Sequence, residues 1–373
     1  MASGKLFEEY RLGGKVAKNR FLRSATNDHL SDPDGMLTEE QQDLYEELAW
    51  NDVGVIITGH FGVSERYKTA FNQPLMSDDR FIPQAKIMAD TAYYYGSLLY
   101  GQLSHGGLKA WKEPFDINEA SREELAEVEE QFAAAAERLA KAGFDGVQVH
   151  LAHGYLLANV LDDTVNRRTD EYGGSDENRF RLVREVLEAI RARCPKNFGL
   201  LVKLSANNMS CFDQDADRGE VGGDDADKRN AVKNDYDSHL INYAKMLRDC
   251  GVDAIELSGA DFYARGRDER KYFLREALLL KEAVDIPVIL VGGIASLEDM
   301  EELVERGIDM ISMCRPFITE PDLIPKLRDG KQTESRCLHC NSCFTLHATK
   351  FKNCVFLPES EKLEELQKHV EKR

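Results

Sequence analysis

Eight short apolar runs recur along this chain, and almost every residue with chemical potential sits at or just after the C-terminal end of one of them. They read FLRSAT from Phe21, VIITGHF from Val55, SLLYGQLS from Ser97, GVQVHLA from Gly146, GLLVKLS from Gly199, AIELSG from Ala254, PVILVGG from Pro287 and MISMCRP from Met310. Parallel strands covered by helices on their outer faces lose the alternation of a half-exposed strand and read as continuous apolar runs. Amphipathic stretches long enough for crossover helices separate them. Eight strand–helix units specify an α/β fold of the closed (β/α)8 TIM-barrel type. Such a barrel gathers its active site at the strand C-termini, which makes Thr26, His60, Gln102, His150, Lys203, Ser258, Gly292 and Arg315 one candidate site.

With 373 residues the chain exceeds the usual barrel length by enough for a tail or inserted loops. The expected division is a barrel over residues 1–332 and a cysteine-bearing, helical C-terminal extension over 333–373, packed on it. Ser121 and Glu124 form a capping box ahead of a helix that stops at Gly143. After the fifth run, the acidic, glycine-containing segment from Phe212 to Asp237 reads as an exposed insertion over the barrel mouth. No apolar stretch is long enough to span a bilayer, and the N-terminus lacks a basic region followed by an apolar one, so the cytoplasm is the expected compartment. A formal net charge of −18 argues against nucleic acid as a partner. Arg265, Arg267, Arg270, Lys271 and Arg275 form a local positive cluster, read equally well as a surface mixed with Asp268, Glu269 and Glu276.

In HLAHGY, His150, His153 and Tyr155 converge at the fourth strand end. Two imidazoles can donate to one developing oxyanion while a nearby phenol supplies a proton, which suits reduction of an activated carbonyl compound. A metal pair completed by Asp162 or Asp163 is the rival reading. At the seventh and eighth runs, Gly292 and Gly293 let backbone N–H groups approach an anion, and Arg315 can grip phosphate oxygens in bidentate fashion.

Together KNRFLRSAT, QLSHGG, HLAHGYLLANVLDDTVNRRTDEYGGSDENR, IPVILVGGI and SMCRPFITEP resemble the old yellow enzyme family of NADH:flavin oxidoreductases, from about Lys5 to Pro325. The resemblance implies non-covalent FMN at the barrel mouth. It places Ala25 and Thr26 along the ring system, Asn27 near its oxygen and N5 edge, and His60 beside it. Gln102 would bond the pyrimidine part, Lys203 would lie near N1 and O2, and Gly292, Gly293 and Arg315 would hold the phosphate. His150 and His153 would orient substrate, with Tyr155 as proton donor. The implied reaction is ping-pong: NAD(P)H delivers hydride to the flavin, and a small electron-poor alkene then accepts it. Many members associate, so the resemblance also implies a homo-oligomer. Four features depart from the family: Lys203 in place of arginine, Ala25 in place of proline, Cys314 in place of glycine, and a short stretch between Gly107 and Ser121 where a capping hairpin usually lies.

Cys337, Cys340, Cys343 and Cys354 follow a C-x2-C-x2-C-x10-C spacing that suits an iron–sulfur cluster or tetrahedral zinc, with unmetallated thiols as the third reading. The motif resembles that of larger relatives such as 2,4-dienoyl-CoA reductase and trimethylamine dehydrogenase, which carry [4Fe-4S]. This implies an alternative role as an electron-transfer subunit working with a redox partner. Cys194, Cys211, Cys250 and Cys314 show no ligand spacing and read as buried small residues. A non-redox aldolase or lyase would need Lys203 as its Schiff-base lysine.

Overall fold

The computed structural model describes residues 4–207, 226–259, 261, 265, 268–345 and 354, with backbone alone for 226–235 and 344–345. The chain enters through an antiparallel hairpin, β1 (Tyr10–Leu12) and β2 (Lys15–Ala17). The barrel follows as β3 (Phe21–Arg23), β4 (Val55–Ile57), β6 (Leu98–Ser104), β7 (Gly146–Leu151), β8 (Gly199–Ser205), β9 (Ala254–Ser258), β10 (Val288–Val291) and β11 (Met310–Met313), all parallel. Pairing of β4 with β6 closes the ring, with Val55 opposite Leu98. The eight runs are these eight strands. Their near-complete burial explains the missing alternation.

Two apolar cores result. The larger lies between strands and helices. The smaller fills the barrel's N-terminal half, where Leu12 and Ala17 of the hairpin pack with Leu22, Ile57, Tyr100, Leu201 and Ile289. The hairpin therefore plugs that end of the cylinder, a role its three-residue strands did not announce. Tyr100 is fully buried there, and a Cβ at Gly146, at the start of the neighbouring β7, or at Gly199, at the start of β8 beyond it, would lie 2.4 or 2.5 Å from its ring, so glycine at these two strand starts gives the tyrosine room.

Local signals hold where they are strong. Ser121 caps helix Arg122–Ala142 in the expected box, with Glu124 N donating to Ser121 Oγ at 3.2 Å and Ser121 N to Glu124 Oε2 at 2.8 Å. Gly143 ends it in the left-handed conformation, φ 93°. Leu125, Val128, Phe132, Ala136 and Leu139 form its buried stripe.

Two expectations change, and the short stretch after Gly107 is as expected. The second run splits into β4 and a short β5 (Phe61–Gly62), both against β6, which leaves His60 between them at the rim. Part of the acidic segment is helical rather than loop, since helix Ala226–Asp249 begins inside it; alanine, lysine and arginine there favour the helix over an exposed coil. The rest of that segment, like Cys211, Arg267 and the charged C-terminal helix candidate, lies outside the described residues. Between Gly107 and Ser121 the backbone makes one 3-10 turn, Gly107–Lys109, and no strand. No helix of the described residues is long and apolar enough to cross a membrane.

Candidate active site

A cavity of about 480 Å³ opens at the strand C-termini. That volume is within the roughly 300–1,000 Å³ of small-molecule and cofactor sites. Its walls include Ala25, Thr26, Asn27, His60, Gln102, His150, His153, Tyr155, Lys203, Gly292 and Arg315. Gly293 is the one barrel residue of the expected site that does not line it. Its φ of 66° and a virtual Cβ 2.6 Å from the Tyr272 ring show its use instead: it lets the turn after β10 pass beneath Tyr272.

The HLAHGY turn positions the catalytic candidates. β7 ends at Leu151, His153 adopts φ 60° and Gly154 φ 70°, and the two left-handed residues fold the chain back over the strand end. The rings converge: His150 lies 5.1 Å from His153 and 4.8 Å from Tyr155, centroid to centroid, and His60 lies 5.2 Å from Tyr155. His150 Nδ1 accepts the Ala152 N–H at 3.2 Å, so in the neutral ring Nε2 carries the proton. His153 Nε2 meets Ser258 Oγ at 2.8 Å.

Burial first, then the neighbouring imidazoles and the Lys203 and Lys109 cations, hold His150 and His153 well below the ordinary histidine range. Both rings are therefore neutral at neutral pH. Burial pushes the Tyr155 phenol up to about 12, tempered by its hydrogen bond with Thr69, so it keeps its proton. The site thus holds neutral donors.

Thr26 Oγ1 lies 2.7 Å from Cys314 Sγ, and Cys314 lines the cavity, which corrects its reading as a core residue. Cys194 and Cys250 pack against the larger core but are only part-buried, short of the full burial expected of them. At the opposite end from the histidines' turn, Arg315 donates from Nη2 to Tyr272 Oη at 3.3 Å and from Nη1 to Asn341 Oδ1 at 2.7 Å and His339 O at 3.2 Å. The cysteine segment is thereby joined to the site. The residues after 332 also bond the barrel through Leu297 N to Thr333 O and Ser335 N to Ala295 O.

Other candidates resolve differently. Among the described residues no group of three or more His, Cys, Asp or Glu side chains is placed to hold a metal. Cys337, Cys340, Cys343 and Cys354 are therefore not drawn into one such group. Asp162, weighed as a third ligand for the histidines, accepts from Thr164 N at 2.9 Å and Oγ1 at 2.6 Å, while Asp163 faces His239. The basic cluster is charge-mixed: Arg265 pairs with Asp261, Lys271 with Asp299 and Glu302, and Arg275 with Asp237. Lys203 is engaged by Ser24 Oγ at 2.7 Å and Glu256 Oε2 at 3.3 Å, unlike an amine kept open for imine formation. Sequence reasoning missed His29, Thr69, Lys109 and Tyr272, which come from loops and line the same cavity.

The residues fit FMN. An amide at Gln102 and an ammonium at Lys203 suit a polar ring edge, and Arg315 with the Gly292 turn suits a phosphate. Comparison with known proteins agrees. The NADH oxidase of Thermoanaerobacter brockii is 27% identical over 363 residues; the match covers 90% of this chain and 52% of that protein, so the chain spans about half its length. The NADPH dehydrogenase of Bacillus licheniformis is 31% identical over 338 residues, covering 86% of this chain and 93% of that one. The structure of the old yellow enzyme homologue of Zymomonas mobilis superposes with a TM-score of 0.72 at 26% identity, over 88% of this chain and 94% of that one. The family model for NADH:flavin oxidoreductases and NADH oxidases matches residues 5–334, and the chain belongs to that family.

Proposed function

We propose that this chain is an FMN-dependent oxidoreductase of the old yellow enzyme type, which takes hydride from NAD(P)H and reduces an electron-poor alkene such as an α,β-unsaturated carbonyl compound. The observation that carries this reading is the grouping of two neutral imidazoles and a protonated phenol on one wall of a cavity whose other end holds Arg315. Bound FMN would supply the hydride chemistry. His150 and His153 donate to the carbonyl or nitro oxygen of the acceptor, and Tyr155 holds the proton destined for the α-carbon. Gln102 and Lys203 would face the ring, and Arg315 the phosphate. The protein's share is positioning and electrostatics.

An anaerobic absorbance spectrum before and after titration with NADH or NADPH tests this. Flavin bands that bleach with one equivalent are the expected result; a colourless protein would overturn it.

A second reading, as an electron-transfer subunit with a partner, draws on the cysteine spacing and on the contact of Arg315 with His339 and Asn341. Iron and acid-labile sulfide analysis after anaerobic purification separates iron–sulfur from zinc and from bare thiols. Alkene reduction needs no such centre. A reducing cytoplasm suits these thiols on either reading, and a second copy of the chain or a redox protein is the partner to seek.

A further inference from the structure

Beneath the cavity floor lies an arrangement that hydride transfer and protonation leave unused. Glu256 on β9 is fully buried. Its Oε1 accepts from Ser312 Oγ at 2.6 Å and its Oε2 from Gln148 Nε2 at 2.8 Å. Lys203 Nζ stands 3.3 Å from the same Oε2 and donates to Ser24 Oγ at 2.7 Å. Gln148 Oε1 accepts in turn from Gln102 Nε2 at 2.7 Å. Strand register makes these meetings obligatory, because Lys203 is the Cα partner of Glu256 and Gln102 that of Gln148. Burial opposes ionisation of the carboxyl, but Lys203 and the donors Ser312, Ser24 and Gln148 hold it below its usual range. It is an anion at neutral pH.

Layers inside such barrels are dominated by branched apolar side chains. A buried ion pair is weak evidence for stability, since apolar residues of similar volume often serve as well or better. The pair therefore calls for a different explanation, and its position offers one. Lys203, Ser24 and Gln102 line the cavity, whereas Glu256, Gln148 and Ser312 lie behind them.

We propose that Glu256 is a positioning residue that fixes the Lys203 ammonium under the cavity floor and offsets its field, so that a neutral Lys203–Glu256 pair, rather than a lone cation, sets the redox potential of bound FMN. The inference rests on the FMN reading above. A lone buried cation would favour the more negative, reduced state of the cofactor, and an adjacent carboxylate weakens that preference. The carboxylate also sets the direction of two amides. Because Glu256 can only accept, Gln148 donates to it and presents its oxygen to Gln102, which leaves Gln102 Oε1 as an acceptor towards the cavity.

The test is a potentiometric titration of FMN bound to the purified holoenzyme. In Glu256→Gln the affinity ratio of reduced to oxidised FMN should rise at least about tenfold, an upward shift of roughly 30 mV for a two-electron couple. Lys203→Met should move it in the opposite sense at alkaline pH, where Glu256 ionises without its cation. Adding Glu256→Gln to Lys203→Met should raise the potential again at that pH, and this comparison carries the test if the single Glu256 variant does not fold, since it leaves no buried cation unpaired. A merely structural carboxylate would alter the thermal midpoint and leave the potential alone. Flavin bound as in the parent with an unmoved potential in both backgrounds overturns the inference by itself; a parent protein without flavin bands overturns the FMN reading and this inference with it.

Discussion

Tyr155 and the two histidines beside it owe their protonation states to burial, and their roles follow from that. Replacing Tyr155 with Phe removes the proposed proton donor while keeping the ring that packs on His150 and His60. We expect alkene reduction to slow about 100-fold, at the lower end for loss of a general acid, with flavin reduction by NAD(P)H nearly unchanged. Stopped-flow measurement of the two half-reactions checks this, and equal losses in both would remove the assignment. These three residues were legible because they follow an apolar run at the place where a barrel strand ends. Glu256 was not. A single acid inside AIELSG gives no sign of its partner, because Lys203 meets it only through the register of two strands some fifty residues apart. Tyr272 and Lys109 were hidden for another reason: loop residues follow no period that would say which way they face.

At the scale of elements, the eight strands could be read because continuous burial erases polar alternation, and helix Arg122–Ala142 because its two ends carry strong caps. The β1–β2 hairpin could not, since three-residue strands are shorter than any periodic signal. Nor could the helical start at Ala226, where acidic composition masked ordinary helix propensity. The contact between hairpin and strands depends on Tyr100, whose ring occupies the space a side chain at Gly199 would need. Gly199→Ala should therefore cost about 1–3 kcal/mol, as overpacking does. Urea unfolding followed by circular dichroism measures it, and an unchanged midpoint would show that the ring moves aside freely.

For the whole molecule, buried histidines make acid the vulnerable side. Burial holds His105 down to about 3, and burial with the Arg315 and Arg270 cations holds His339 at about 4, while His150 and His153 are also lowered. Above the unfolded value near 6.5 both states are neutral and nothing is lost. Below it the unfolded chain takes up protons that the folded chain refuses, so stability falls as the pH drops from about 6.5 towards 3. One unit into that window each such group contributes a loss of about 1 kcal/mol. Urea midpoints at pH 7.5, 6.5 and 5.5 should decline in that order, and His105→Gln should flatten the decline; equal slopes would refute the assignment. Finally, the hairpin packs into one end of the cylinder, and among the described residues the cavity opens at the other. On the proposed reading the electron donor and the acceptor would share the cavity mouth at the other end, so an excess of either should slow the entry of the other.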